Sequence, residues 1–179
     1  MSKGFSNKVS KVEIIDNFLS PLDFDNLKRN VFSEKFPWFF AEESVIGAGG
    51  PPQLAHVIYG DNQPQTPAID LFGPFLNKLS SISLIRLKIN MTLPHSSAEM
   101  PYCFHHDFGV ADDPKMERTK YVRTGIYYLN STDGPTFVGE EKIKCVENRF
   151  ISFPHNIEHT GTTFTNNKRR VVLNVNYLP

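Results

Sequence analysis

From Ile82 onward the chain changes period. Ile85, Leu87, Ile89, Met91 and Leu93 alternate with Arg86, Lys88, Asn90 and Thr92. Side chains two apart on an extended strand share a face, so this stretch predicts a long strand, apolar on one side and polar on the other. The C-terminal run repeats the pattern. Val171, Leu173 and Val175 fall on one face, and Arg170, Val172, Asn174 and Asn176 on the other. If helices cover the outside of such a sheet, the purely apolar faces turn outward towards them. Arg170 and the two asparagines then point into the interior, where a guanidinium needs an anion.

Helices come early in the chain. Ser20-Pro21 reads as an N-cap followed by proline in the first turn. Leu22, Phe24, Leu27, Val31 and Phe32 follow at helical spacing, which predicts a helix over 21–33. A second helix is expected over 67–79, interrupted around Gly73-Pro74. Strands are expected over 11–17 and 53–59, and then over 121–130, 135–138, 142–147, 149–153, 157–160 and 170–178. Residues 1–10 read as a frayed end. Residues 34–52, with Phe36-Pro37-Trp38-Phe39-Phe40, read as an aromatic loop, packed as a satellite core in preference to acting as a substrate lid. Early helices and many short late strands, without a βαβ rhythm, give an α+β fold in which helices pack on one sheet of a sandwich or jelly roll.

The 179 residues are one domain's worth, 1–179, and bury roughly 70% of the unfolded surface without staples. Nineteen basic residues cancel nineteen acidic ones, which argues against non-specific nucleic-acid binding and against attraction to anionic lipid. Two cysteines, Cys103 and Cys145, cannot make a disulfide framework and read as reduced, unpaired thiols. No apolar leader opens the sequence, and no run approaches the ~20 apolar residues of a membrane span. The cytoplasm is the expected compartment.

Of six histidines, His56 and His95 stand alone and read as hydrogen-bonded or solvated. His105 and Asp107 are two apart, so on an extended segment an imidazole and a carboxylate can share one ion, with His106 turned away. A third ligand from a distant strand would complete two histidines and a carboxylate, a set suited to non-haem Fe(II). That ligand is His159 or His155. His159 sits in strand-like context before Thr160-Gly161, whereas His155 follows a proline at a turn, so His159 is preferred.

Taken in order, these segments resemble the Fe(II)/2-oxoglutarate-dependent oxygenases, within them the prolyl-hydroxylase-like group. Ile14-Ile15-Asp16-Asn17-Phe18-Leu19-Ser20 is similar to the entry of that domain. Tyr102-Cys103-Phe104-His105-His106-Asp107 resembles its Tyr-x-x-His-x-Asp segment, and Ile126-Tyr127-Tyr128-Leu129-Asn130 its next core strand. Phe150 to Pro154 precedes His159-Thr160-Gly161 as the group's penultimate strand precedes its distal histidine. Arg170 follows eleven residues after His159, where the group's last strand opens with a basic residue.

The resemblance implies a double-stranded β-helix, Fe(II) held by His105, Asp107 and His159, and 2-oxoglutarate with its far carboxylate on Arg170. It implies that Tyr128 helps to hold that carboxylate and that each ligand histidine donates its second ring nitrogen to an acceptor. The implied reaction uses O₂, releases succinate and CO₂ and hydroxylates a substrate, with ascorbate supportive. The chain departs from the group at Asn90 to Pro94, which lacks a cosubstrate-binding tyrosine. Asn90 or Thr92 is the expected substitute. Asp133-Gly134-Pro135 replaces the usual paired glycines. Two other readings compete: a non-catalytic jelly-roll binding module, and a cupin-type metalloenzyme without 2-oxoglutarate. Arg170 argues against the second, which has no use for that charge. Prolyl residues, free amino acids and nucleobases all stay open as substrates, small or within a peptide or protein, and oligomeric state is open. Tyr102, His106, Asn174, Asn176 and the 36–50 loop are expected to border the cleft.

Overall fold

The computed structural model describes residues 12–44, 50–107 and 121–179. The expected frayed end and residues 45–49 of the aromatic loop lie outside them. The elements run β1 (Glu13–Ile15), α1 (Pro21–Val31), β2 (Phe39–Ala41), β3 (Gln53–Gly60), β4 (Gln63–Pro64), a 3₁₀ helix (Pro67–Phe72), α2 (Gly73–Leu79) and β5 (Ser83–Thr92). Then follow β6 (Arg123–Tyr128), β7 (Thr136–Val138), β8 (Glu141–Ile143), β9 (Phe150–Pro154), β10 (His159–Gly161) and β11 (Arg170–Leu178).

A large antiparallel sheet has the order β1-β9-β6-β11-β5-β3-β2, with β4 on β3, and a small one the order β10-β7-β8. Single bridges, Pro101 to Thr162 and His105 to His159, lay the 101–105 segment along the free side of β10. Two antiparallel sheets with the helices on one of them make the expected double-stranded β-helix. No helix among the described residues is long and apolar enough to cross a membrane.

Alternation builds two apolar layers. Leu87, Ile89 and Met91 of β5, with Val171, Leu173 and Val175 of β11, face Phe24, Leu27 and Val31 of α1 and Phe72 and Phe75 of the second helical stretch. Ile126, Tyr128, Val138, Ile143, Ile151 and Phe153 pack between the two sheets. Adjacent residues therefore serve opposite layers, as Tyr127 and Tyr128 do. The register Arg170 opposite Thr92, Val172 opposite Asn90 and Asn174 opposite Lys88 turns the polar set of both strands inward.

Helix α1 begins as expected: the Ser20 hydroxyl accepts from Asp23 N at 3.2 Å. The second helix divides at Gly73, with a 3₁₀ turn before it and an α turn after it. Residues 34–52 are not wholly a loop. Phe39–Ala41 pairs with β3 as an edge strand, too short for alternation to betray it in the sequence. Phe36 is buried against Trp38 (5.1 Å) and His56 (5.4 Å), so the satellite-core reading holds there. Asn148, at φ 57°, ties the chain entry to the sheet. Its Oδ1 accepts from Leu19 N (2.9 Å) and the Tyr127 hydroxyl (2.7 Å), and its Nδ2 donates to Leu19 O (3.0 Å). Neither Cys103 nor Cys145 is part of a disulfide.

Candidate metal and anion site

His105 and His159 face each other across one antiparallel rung. His105 N donates to His159 O at 3.1 Å, and His159 N to His105 O at 3.0 Å. Their rings stand 4.4 Å apart. Asp107 joins them, and one ligand atom from each of the three lies within 4.8 Å of the others. His155 is not in this group. Although it follows a proline at a turn, His155 is 1% exposed, and its backbone N–H bonds Val122 O.

Neighbours orient all three side chains. A carbonyl can only accept, so the ring proton of His105 sits on Nδ1, 2.9 Å from Cys103 O. His159 Nδ1 is held more loosely by Ile157 O at 3.4 Å. Both Nε2 atoms are thereby left as lone-pair donors. Asp107 Oδ2 accepts from Thr124 Oγ1 (2.8 Å) and Asn176 Nδ2 (2.7 Å). Burial pushes Asp107 up, but His159 and these two donors outweigh it and hold the carboxyl below its ordinary range. Burial drives His159 down to about 4 against the pull of Asp107. An ionised carboxylate beside neutral imidazoles is the state that a cation requires.

A cavity of about 90 Å³ opens beside this group, lined by Asn90, Thr92, Tyr102, Thr136, Asn174 and Arg170 among others. Arg170 is 4% exposed. Its Nη1 donates to Thr162 O (3.2 Å) and its Nη2 to Thr136 Oγ1 (2.7 Å), while Nε is buried with no partner among the described residues. Asn90 Oδ1 is in the same condition. An unpartnered buried guanidinium edge is costly unless an anion arrives to meet it. Gly161 makes room for it, since a Cβ there would lie 3.3 Å from Arg170 Nη1 and 3.5 Å from Tyr102 Cδ2.

Two features escape the sequence pattern. The Tyr102 hydroxyl bonds the Thr92 side chain; burial raises its pKa, while Thr92 and the Arg170 charge pull it down. A tyrosine thus reaches the Arg170 end of the cavity from the segment before His105, with Thr92 beside it. Tyr128 does not line the cavity. Its hydroxyl donates to Thr136 Oγ1 at 2.8 Å, so Thr136 stands between it and the space. Because Thr136 accepts from both Tyr128 and Arg170, its own proton is free for a ligand. As expected, part of the 36–50 segment borders the cleft: Ser44 lines it, together with Gln53 of β3. His106 does not line it. His56 is a core histidine between Phe36 and Phe39, and His95 Nδ1 accepts from the nearby Ser97 N at 3.2 Å.

No protein-family model matches the chain, and no curated protein matches it either. Solved structures do. A viral collagen prolyl hydroxylase from Paramecium bursaria Chlorella virus-1 superposes with a TM-score of 0.56 at 18% identity, over 95% of this chain and 90% of that one. A Trichoplax adhaerens prolyl hydroxylase, solved with a peptide of hypoxia-inducible factor, gives 0.63 at 15%, over 95% and 84%. A Pseudomonas putida prolyl-4-hydroxylase gives 0.62 at 13%, over 95% and 93%. At these identities the likeness establishes the fold, which is that of the prolyl-hydroxylase-like 2-oxoglutarate oxygenases.

Proposed function

We propose that the protein is an Fe(II)- and 2-oxoglutarate-dependent dioxygenase that hydroxylates an organic substrate, prolyl residues and free amino acids being the leading classes. One observation carries this reading: the two histidines of a His-Asp-His group and a buried, half-partnered arginine line one cavity. Neither a plain binding module nor a metalloenzyme without a dicarboxylate cosubstrate needs both. Fold alone would not decide it, since one fold hosts many activities.

The donor set fits the cation. His105 and His159 would hold it through Nε2, and Asp107 through a carboxylate oxygen. These three leave positions open, as O₂ chemistry on Fe(II) requires. Arg170 and the Thr136 hydroxyl would take the far carboxylate of 2-oxoglutarate, with Tyr102 and Thr92 closing the end of the cavity. Bound there, iron and cosubstrate would supply, with O₂, the oxidising chemistry for a substrate C–H bond, with succinate and CO₂ as co-products. The chain's own work is positional. Thr124 and Asn176 aim Asp107, two carbonyls fix the histidine tautomers, and the apolar layer between the sheets keeps water from the charged groups.

The test is to incubate the purified protein with Fe(II), ascorbate and 2-oxoglutarate and to screen peptide and metabolite pools for a gain of one oxygen. Succinate that needs both Fe(II) and substrate is the expected product. Protein that binds neither Mn(II) nor 2-oxoglutarate would overturn the reading.

A further inference from the structure

β5 carries two cations that the proposed chemistry leaves unused. Leu87, Ile89 and Met91 face the helices, so Arg86 and Lys88 share the inward face with Asn90 and Thr92, which line the cavity. Across the sheet Lys88 stands opposite Asn174, another lining residue, and Arg86 opposite Asn176, which holds Asp107. Both cations are half-buried, and neither belongs to an ion pair among the described residues. Two like charges side by side in part-desolvated space repel.

The charges of the proposed site do not relieve them. Asp107 and the near carboxylate of 2-oxoglutarate meet the two charges of the iron, and the far carboxylate meets Arg170. Among the described residues Arg86 and Lys88 are left over, at the Asp107 side of the site and two or more rungs of β5 from Thr92. We propose that Arg86 and Lys88 form an anion subsite for the oxidised substrate, which therefore carries a carboxylate or phosphate close to its reacting carbon. A free amino acid or a chain-terminal residue has such a group; an internal prolyl residue does not. This rests on the oxygenase reading for the identity of the ligand as substrate, though not for the existence of the subsite.

Lys88 supplies its own reporter. Burial first, then Arg86, lower its pKa to about 8, with Asp107 opposing. At pH 8 it should therefore be among the fastest amines to react with an acylating reagent. The experiment measures Lys88 acylation by mass spectrometry in the full chain with Mn(II) and stoichiometric 2-oxoglutarate. The probes are N-acetyl-L-proline, its neutral amide and inorganic phosphate. Saturable protection of Lys88 by an anion, at least threefold in rate and absent with the amide, is expected. Arg86→Gln should weaken that anion about tenfold, one charged contact being worth roughly one decade. Protection by N-acetyl-L-proline alone identifies a carboxylate, and by phosphate alone a phosphate. Arg170→Gln should weaken 2-oxoglutarate and leave the protection intact, which separates the two anion sites. No protection, or equal protection by the amide, overturns the proposal. Protection in a protein that binds neither Mn(II) nor 2-oxoglutarate would keep the subsite and sink the oxygenase reading.

Discussion

Replacing Arg170 by alanine should raise the 2-oxoglutarate concentration required for half-saturation by 10²- to 10³-fold. The guanidinium is 4% exposed, so a carboxylate bound to it would be desolvated with it. Truncating one partner of such a pair costs about 3–5 kcal/mol, and each ~1.4 kcal/mol is a decade in affinity. Arg170→Lys should fall between, since an ammonium keeps the charge and loses the planar fork. Arg169 is the internal control. It lies over the Phe32 ring at 4.5 Å, on the helix side of the sheet. Arg169→Ala should therefore cost about 0.5–1 kcal/mol of stability and leave 2-oxoglutarate binding near wild type. The assay is calorimetric titration of 2-oxoglutarate into the Mn(II) protein, with melting curves to separate misfolding from lost binding. The pairing of Arg170 with Thr92 fixes which side chain of β11 points inward. If Arg169→Ala is the damaging change and Arg170→Ala the mild one, every inward and outward assignment on that strand reverses.

His105→Ala, Asp107→Ala and His159→Ala should each abolish Mn(II) binding by calorimetry, whereas His155→Ala should keep the metal and lose about 1–3 kcal/mol of stability by denaturant melt, as a buried polar truncation does. Asn176→Ala removes the 2.7 Å donor to Asp107 and should weaken metal by 10–100-fold; unchanged affinity would show that Thr124 alone suffices. For pH, His159 is held at about 4 when folded and titrates near 6.5 when unfolded. The unfolded state thus binds the extra proton first, and the metal-free protein should lose on the order of 3 kcal/mol as pH falls from about 6.5 to 4. A flat melting temperature across that window would refute the burial argument.

The parts legible in the sequence were those whose two sides meet different surroundings. β5 and β11 each touch helices on one face and the cavity on the other, so alternation alone places Arg170 and the inward asparagines. His105 and Asp107 were visible because the i, i+2 relation is local. What stayed hidden was built from common residues on short strands. Thr136 sits in a three-residue strand, and nothing local marks a hydroxyl that accepts twice. Tyr102 reads in the sequence only as a border residue, because its bond to Thr92 crosses between segments ten residues apart that pair with different strands. The edge strand at Phe39 was missed because three residues carry no period. His155 misled because a proline turn usually points to solvent, while here the turn closes over Val122.

The three ligands are not all carried by one layer. His105 and His159 belong to the small sheet, locked by their reciprocal backbone bonds. Asp107 is fastened by Thr124 and Asn176, which stand on β6 and β11 of the large one. A cation held by all three would act as a clasp between the two sheets. Its removal would then be felt as mechanical loosening before it is felt as lost chemistry. Amide exchange in the 101–107 segment and β10 should quicken on chelation while the helix-backed rungs of β5 and β11 stay slow, so the age or metal content of a preparation would be readable from the mobility of its rim.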